Sequence, residues 1–233
     1  AVAIPVVLIM TVALGLLIER AAYKPLRSAP RMSVMISAIG VSYLLQNLAT
    51  YITGGLARPY PEIPFLKGTF MLGALKIKII TVVTPLLTIL LVIALVIFIN
   101  HTKTGMAMRA VSRDFDTARL MGIKVNNIIS VTFIIGSFLA GVGSILYFSN
   151  YGQVSPTIGA MPGLKAFVAA VFGGIGSIPG AVLGAYIIGI CESLIKANDA
   201  IAIFSNAFTF ALLILVLLFK PNGMFGEKLA EKV

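Results

Sequence analysis

Residues that could build a disulfide, a metal centre or a charged surface are scarce in this chain of 233 residues. It contains one cysteine and one histidine, which excludes an intrachain disulfide and a zinc site. Only 11% of its residues are charged and 59% are apolar, whereas soluble domains average about 25% and roughly 45–50%. Too little polar surface remains to coat a water-soluble globule. The composition therefore argues against a cytosolic enzyme and indicates that lipid surrounds much of the chain.

Motifs for catalysis and nucleotide binding are also missing. The sequence contains no His-Glu-x-x-His, no Gly-x-Ser-x-Gly and no Gly-x-x-x-x-Gly-Lys-[Ser/Thr]. Ion-driven carriers usually need ionisable residues inside the membrane, and the candidates here are Lys165 and Glu192, each near the end of an apolar segment. A single charge in that position usually extends toward water. We therefore expect no catalytic site, no metal and no bound cofactor, so that energy for uphill transport comes from another chain.

The net charge of +10 arises from 18 basic and 8 acidic residues. In a soluble protein this excess would first suggest a nucleic-acid partner. Here the charges lie in short stretches between apolar runs, which is typical of the cytoplasmic loops of membrane proteins. We predict a lipid bilayer, and no nucleic acid, as the surroundings of this chain.

Six apolar segments approach the length of about 20 residues that a membrane helix needs. In order, they are residues 1–18, 32–53, 79–100, 127–148, 162–195 and 202–219. The fifth segment is too long for one span, and the run Gly173-Gly174-Ile175-Gly176-Ser177-Ile178-Pro179-Gly180 interrupts it. This run predicts a turn or a broken helix between 162–172 and 180–195. The fold expected is an all-α, polytopic membrane bundle that forms one transmembrane domain over residues 1–233.

Basic residues divide the connecting loops into two groups. The loops 20–31 and 101–124 and the tail from Lys220 hold twelve Lys and Arg, whereas the loops 54–78, 149–161 and 196–200 hold five. The richer group belongs in the cytoplasm, which requires the glycine-rich break to be a cytoplasmic turn. The loop 54–78 is then the only sizeable external one, and its second half predicts a short hairpin.

A charged, amphipathic segment within the loop 101–124 is the most informative feature of the sequence. It runs from Gly105 to Gly122 with helical periodicity, and its glycines are expected to free it from the flanking spans. Its apolar face comprises Ala107, Val111, Phe115, Ala118 and Gly122, beside Ala110, and its polar face Arg109, Ser112, Arg113, Asp116 and Arg119. Such a helix either lies on lipid headgroups, which the pattern alone favours, or inserts into a groove of a soluble protein.

Small residues recur every four positions after the break. Gly176, Gly180 and Gly184 form one series, and Ala181, Ala185 and Gly189 form another beside it. Such spacing lets membrane helices approach closely. Two interpretations stay open, tight packing alone or a broken helix beside a transport pathway; packing alone is the more common case.

Four runs of residues resemble the H-type permeases of branched-chain amino acid ABC transporters, a family of high-affinity Leu/Ile/Val uptake. They are residues 18–27, 109–123, 163–180 and 220–226, of which 173–180 is the most specific. Members of this family begin with further membrane segments. Because the chain also starts at Ala1 inside an apolar run, without the basic region of a signal peptide, we expect it to be an N-terminally incomplete part of a longer product.

The resemblance implies a multi-pass subunit of the bacterial inner membrane. It implies a sister permease, two cytoplasmic ATPase subunits that use ATP, and a periplasmic binding protein that delivers Leu, Ile or Val. It also implies that the segment from Arg109 to Gly122 is the coupling segment on which an ATPase docks, which reverses the preference drawn from the pattern. Arg109 stands where many importers carry Glu.

Other functions stay open at the level of sequence. A secondary carrier or channel for small solutes would transport without ATP, and a permease of the same superfamily would carry sugars or amides. The spans themselves show no arrangement of residues that identifies a ligand.

Overall fold

The fold is almost entirely helical, as predicted. The computed structural model describes residues 3–26, 31–61, 68–72, 75–174, 176–199, 201–220 and 223–224. In this part of the chain the α-helices are α1 Ala3–Ile18, α2 Arg31–Thr53, α3 Ile79–His101, α4 Lys103–Arg113, α5 Phe115–Leu120, α6 Val125–Tyr151, α7 Ala160–Gly173, α8 Ile178–Lys196 and α9 Ser205–Phe219. The strands are β1 Arg58–Pro59, β2 Thr69–Leu72, β3 Leu75–Lys78 and β4 Gln153–Val154.

The helix bounds follow the apolar runs within a few residues. The predicted span 79–100 is helix α3, and the predicted split of the fifth segment separates α7 from α8. The sixth predicted segment begins as the 3₁₀ turn Ala202–Phe204 and continues as α9. The predicted hairpin is present, since β2 pairs antiparallel with β3 and Thr69 lies opposite Lys78; residues 62–67 and 73–74 of that loop lie outside the described part of the chain.

In the part of the chain that the structure describes, four helices are long and apolar enough to cross a membrane. They are α1 with its continuation to Tyr23, α3, α6 and α8, whereas α7 and α9 are shorter apolar helices. In α3 no residue of the most apolar window is buried, and Leu86 is 70% exposed. Large apolar side chains on an outer surface are stable against lipid or another apolar subunit, not against water.

Contacts divide the chain into two units, Ala1–Thr157 and Ile158–Val233. The first unit centres on the packing of α1 against α6 through small residues. A side chain added at Gly15 would meet the hydroxyl of Ser137, and one at Gly141 would lie 3.0 Å from Leu8 Cδ2. The absence of side chains therefore lets the two backbones approach, as is usual for helices in lipid. The prediction of one domain over residues 1–233 stays a prediction.

A buried carboxylate closes one end of this helix pair. After α1 the chain forms a π-helical turn, Glu19–Tyr23, in which Glu19 is 1% exposed. The hydroxyl of Ser130, in the second turn of α6, donates a hydrogen bond to Glu19 Oε2 at 3.2 Å. The rings of Tyr23 and Phe133 pack 5.1 Å apart beside it. A polar contact of this kind fixes the end of α1 against the start of α6.

The opposite end of the first unit is closed by backbone pairing. Strand β1 pairs antiparallel with β4, directly after α6. The backbone NH of Tyr60 donates to the carbonyl of Gly152 at 2.9 Å. The end of α1 and the start of α6 thus lie at one end of this unit, and β1 lies at the other end. The sequence likewise predicts that the loops 20–31 and 101–124 lie on one side of the membrane and the loops 54–78 and 149–161 on the other.

The second unit consists of α7, α8 and α9 around a small apolar core. Val168, Ala169, Phe172 and Ile188 are its buried members, with side chains of α9 packed against them. Helix α7 has 14 residues and therefore rises about 21 Å, less than the roughly 30 Å of a bilayer core.

Candidate functional site

The predicted coupling segment lies between the end of α3 and the start of α6. Helix α4 begins after Thr102, whose hydroxyl oxygen accepts a hydrogen bond from the backbone NH of Gly105 at 3.0 Å. Gly105 is buried, and a Cβ there would lie 2.5 Å from the Cα of Ile99. The expectation that Gly105 frees the segment from α3 is therefore wrong: this glycine permits a tight contact with α3.

The predicted single helix over residues 105–122 does not form, because two shorter helices, α4 and α5, take its place. Asp114 has extended backbone angles, φ −156° and ψ 117°, and separates α4 from α5. Its Oδ1 accepts from the backbone NH groups of Asp116 and Thr117 at 3.0 and 3.2 Å. Asp is a preferred N-cap residue because it satisfies these orphan donors. The helical periodicity of the sequence continues across Asp114, so it does not indicate the break. The preference of Asp for the N-cap position is the one feature of the sequence that could have predicted it.

Only part of the predicted apolar face is buried. Val111 and Ala118 are 5% and 3% exposed and pack with Val125 at the start of α6. Phe115 is 53% exposed, because the break at Asp114 turns α5 relative to α4. Gly122 is exposed, with φ +79°, and ends the segment. The inward face is therefore narrower than predicted, and Phe115 lies on the outer surface.

The polar residues of the segment lie outward, and one of them is anchored. Arg109 donates from Nη1 to Asn100 Oδ1 at 3.3 Å and from Nη2 to the carbonyl of Asn100 at 3.5 Å. Its guanidinium thus binds the end of α3, where cations stabilise the helix dipole. The other residues of the predicted polar face are also exposed: Ser112, Arg113, Asp116 and Arg119. Ala110, beside the apolar face, is exposed as well.

Replacing Asp114 by Ala is expected to loosen α5 locally. Loss of an N-cap lowers the stability of a helix by about 1 kcal/mol. The open state of α5 should then be populated roughly fivefold more, and its amides should exchange faster by the same factor. Hydrogen exchange of the amides of residues 115–120, measured by mass spectrometry in nanodiscs, checks this. Asp116→Ala is the matched control, since the Asp116 side chain is exposed and does not cap the helix. Equal exchange in the two variants would contradict the capping role.

The glycine-rich break joins α7 to α8 by a close backbone contact. Gly173 is buried, and a Cβ there would meet the carbonyl of Gly180. A Cβ at Gly184 would lie 2.7 Å from the carbonyl oxygen of Ala169 and 3.1 Å from the backbone nitrogen of Gly173. These contacts leave room for hydrogen atoms only, so the two helices are held at the closest approach that backbones allow.

Other residues of the break form the turn itself. Gly174 ends α7 with φ +107°, and Gly176 follows with φ +100°. Gly176 therefore precedes α8. The sequence pattern predicts that Gly176 belongs to the four-residue series on that helix, and this prediction is wrong. Pro179 lies in the first turn of α8, and the hydroxyl of Ser177 accepts from the backbone NH of Gly180 at 3.2 Å.

The chain returns to this break after α9. Gly223 is buried, and a Cβ there would lie 2.5 Å from the Cα of Gly174. The backbone NH of Met224 donates to the carbonyl of Phe172 at 2.9 Å. The break and the start of the tail therefore lie at the same end of the second unit, as the predicted topology requires.

Sequence reasoning missed an ionic cluster in the second unit. Lys165 on α7 and Glu192 on α8, which the sequence presents as separate charges, form a salt bridge of 2.6 Å. Lys196 binds the same carboxylate oxygen, also at 2.6 Å. Residues 165 and 192 are too far apart in sequence for a periodicity argument, so no local signal could have paired them.

Almost all of the chain is similar to known transport permeases. Residues 1–217 match the family model described as "Branched-chain amino acid transport system / permease component". The high-affinity branched-chain amino acid transport system permease protein BraD of Pseudomonas aeruginosa is 41% identical over 231 residues, which are 97% of this chain and 74% of BraD. The corresponding protein LivH of Escherichia coli K12 is 40% identical over the same shares.

A more distant relative is named for the import of a different solute. The autoinducer 2 import system permease protein LsrC of Yersinia enterocolitica is 26% identical over 174 residues, which are 71% of this chain and 46% of LsrC. No solved structure matches this chain.

Proposed function

The chain belongs to the family of branched-chain amino acid transport system permease components, and we propose that it works as the membrane subunit of an ATP-driven amino acid importer. It is a multi-pass permease subunit of the inner membrane. Its substrates are leucine, isoleucine and valine, moved across the membrane by an ATP-binding-cassette importer. The relatives at 40–41% identity support this substrate class over that of the 26% identical permease.

The coupling surface is the outer side of α4 and α5. Its core-facing residues Val111 and Ala118 are buried, whereas Phe115 is 53% and Leu120 88% exposed beside three outward arginines. A rigid segment with exposed aromatic, aliphatic and Arg side chains has the composition of a protein interface. This exposed surface on an anchored segment is the observation that carries the proposal that an ATPase docks there.

The importer needs further subunits. We assign ATP hydrolysis to two cytoplasmic ATPase subunits and no catalytic step to this chain. A sister permease completes the membrane pathway, and a periplasmic binding protein delivers the amino acid. Motion of the ATPases is transmitted through α4, which Arg109 and Gly105 tie to α3, and through α5, which leads directly into α6.

A comparison of energy sources tests the proposal against a secondary carrier. The complete complex in proteoliposomes is expected to accumulate radiolabelled leucine only with ATP and the binding protein. Proton and sodium ionophores should leave that uptake unchanged, and excess isoleucine or valine should suppress it, whereas excess glucose should not. Leucine uptake by this chain alone, driven by an ion gradient, would instead identify a secondary carrier.

A further inference from the structure

The buried carboxylate of Glu19 lies at a position where packing alone would favour an apolar residue. Glu19 belongs to the candidate span Ala3–Tyr23 and, four residues after Gly15, faces the same side of this helix, toward α6. Small residues already hold α1 and α6 together, and an apolar side chain would join them without the cost of desolvating a carboxylate. Ionisable residues inside membrane segments are usually functional.

The backbone around Glu19 departs from an ordinary helix. Glu19–Tyr23 form a π-helical turn, in which the backbone NH of Lys24 donates to the carbonyl of Glu19 at 2.8 Å. Such turns are rare and are frequent at functional sites. The same turn places the ring of Tyr23 against Phe133 of α6, with the ring centroids 5.1 Å apart. The end of α1 is therefore attached to α6 at both ends of the π-helical turn, by Glu19 and by Tyr23.

The donor to Glu19 lies next to the core of the coupling segment. Ser130, whose hydroxyl donates to Glu19 Oε2 at 3.2 Å, comes directly after Ile129 on α6. Ile129 packs against the buried cluster that joins α4 and α5 to the start of α6. Packed side chains and hydrogen bonds of this kind carry energetic coupling between distant sites. The contacts run from the coupling segment, through the first two turns of α6, to the end of α1.

The contacts between α1 and α6 differ in how well they resist sliding. Close packing at Gly15 and Gly141 is non-directional, and helices that pack in this way can slide past each other by small amounts. A hydrogen bond to a buried carboxylate is directional and strong in surroundings without water. The Glu19–Ser130 bond therefore fixes the register of the two helices at the end nearest the coupling segment.

We propose that Glu19 is a positioning residue that, through Ser130, makes α1 move together with α6 when an ATPase displaces the coupling segment. The proposal rests on the proposed function and extends it by one step, because the motion does not end in α6 but reaches α1. Without the bond, α6 slides along α1, and ATP is hydrolysed without a matching movement of the membrane helices.

Ser130→Ala removes only the hydroxyl donor and tests this step in the complete complex in proteoliposomes. Loss of one hydrogen bond to a charged group should lower the number of leucine molecules taken up per ATP hydrolysed about tenfold. The rate of hydrolysis and the amount of bound ATPase should stay near the wild-type level. Ser144→Ala is the matched control, since Ser144 is half-buried on the same helix and its hydroxyl donates to the carbonyl of Gly141 within α6. Its uptake per ATP should equal that of the wild type.

A double-mutant cycle shows whether Ser130 acts through Glu19. Glu19→Met keeps an unbranched side chain but offers no carboxylate, so adding Ser130→Ala to it should cause little further loss. The same tenfold loss from Ser130→Ala with and without the Glu19 carboxylate would mean that the two residues act independently, which would overturn the proposal. If Glu19→Met does not assemble, the comparison of Ser130→Ala with Ser144→Ala decides the question alone.

The outcomes separate this step from the transport function. Wild-type uptake per ATP in Ser130→Ala would overturn the role of Glu19 and leave the importer standing. A parallel fall of uptake and hydrolysis, with an unchanged ratio between them, would show that the contact is only structural and would also overturn the proposal. Absence of ATP-driven leucine uptake by the wild type would overturn the proposed function itself.

Discussion

Replacing Phe115 by Ala is expected to reduce ATP-driven leucine uptake by about thirtyfold, while the protein still inserts and α4 and α5 still pack on α6. An aromatic anchor of a protein interface typically contributes about 2 kcal/mol, and 1.4 kcal/mol is a factor of ten. Phe115 is suited to that role because it follows the Asp114 cap directly, which holds it in place, and its ring is half exposed. Its removal takes little away from the core of Val111, Ala118 and Val125.

The measurement pairs uptake with ATP hydrolysis in the same proteoliposomes. For Phe115→Ala we expect hydrolysis that no longer responds to the leucine-loaded binding protein, or ATPase subunits that dissociate from the complex. Phe204→Ala is the control, since Phe204 is 57% exposed in the turn before α9, outside the coupling segment. Wild-type coupling in Phe115→Ala, or an equal loss in both variants, would exclude Phe115 as a docking residue.

The main elements of the fold could be predicted from local sequence. A helix in lipid must satisfy its own backbone hydrogen bonds, so a run of apolar residues of the right length specifies its own secondary structure. The start of α3 at Ile79 and the interruption between α7 and α8 follow from this reasoning alone. Which end of each helix is cytoplasmic depends on basic residues in the loops, and that assignment stays a prediction.

The geometry of the candidate site depended on contacts that the sequence does not display. Periodicity extends a helix through Asp114, but the carboxylate of this residue competes for backbone NH groups and starts a second helix. The periodicity predicts Arg109 on the polar face of the segment. Its hydrogen bond to Asn100 forms because α4 folds back on α3, which the sequence does not indicate. The pairing of Lys165 with Glu192 likewise requires the packing of α7 on α8.

The close contact of α7 and α8 explains why the break needs glycine at specific positions. In lipid, apolar side chains gain little by burial against each other, so association depends on short-range packing and on backbone proximity. Gly173 and Gly184 supply that proximity, whereas the Gly174 and Gly176 backbones supply the turn with positive φ. Close packing and the break of the chain therefore depend on different glycines of the same run, and the position of this break beside a transport pathway stays a prediction.

Adding one methyl group at Gly184 is expected to disrupt this unit. In Gly184→Ala the Cβ would lie 2.7 Å from the carbonyl oxygen of Ala169, a backbone atom that cannot move aside without shifting α7. Overpacking of this kind costs about 1–3 kcal/mol, and here it also weakens the contact that holds Lys165 near Glu192. We expect a clear fall in the melting temperature of the purified protein and loss of transport. Gly173→Ala should be more severe, since its Cβ would meet the carbonyl of Gly180.

Gly189→Ala on the same helix separates packing from helix propensity. Gly189 is exposed, and a Cβ there meets nothing within 4 Å, so the change should leave transport intact and stabilise the helix by up to about 1 kcal/mol. Both substitutions add the same methyl group to α8, and only its surroundings differ. A thermal unfolding series in detergent micelles that ranks Gly189→Ala above the wild type and Gly184→Ala well below it would support the close backbone contact. Equal melting temperatures for the two variants would show that α7 and α8 do not approach at Gly184.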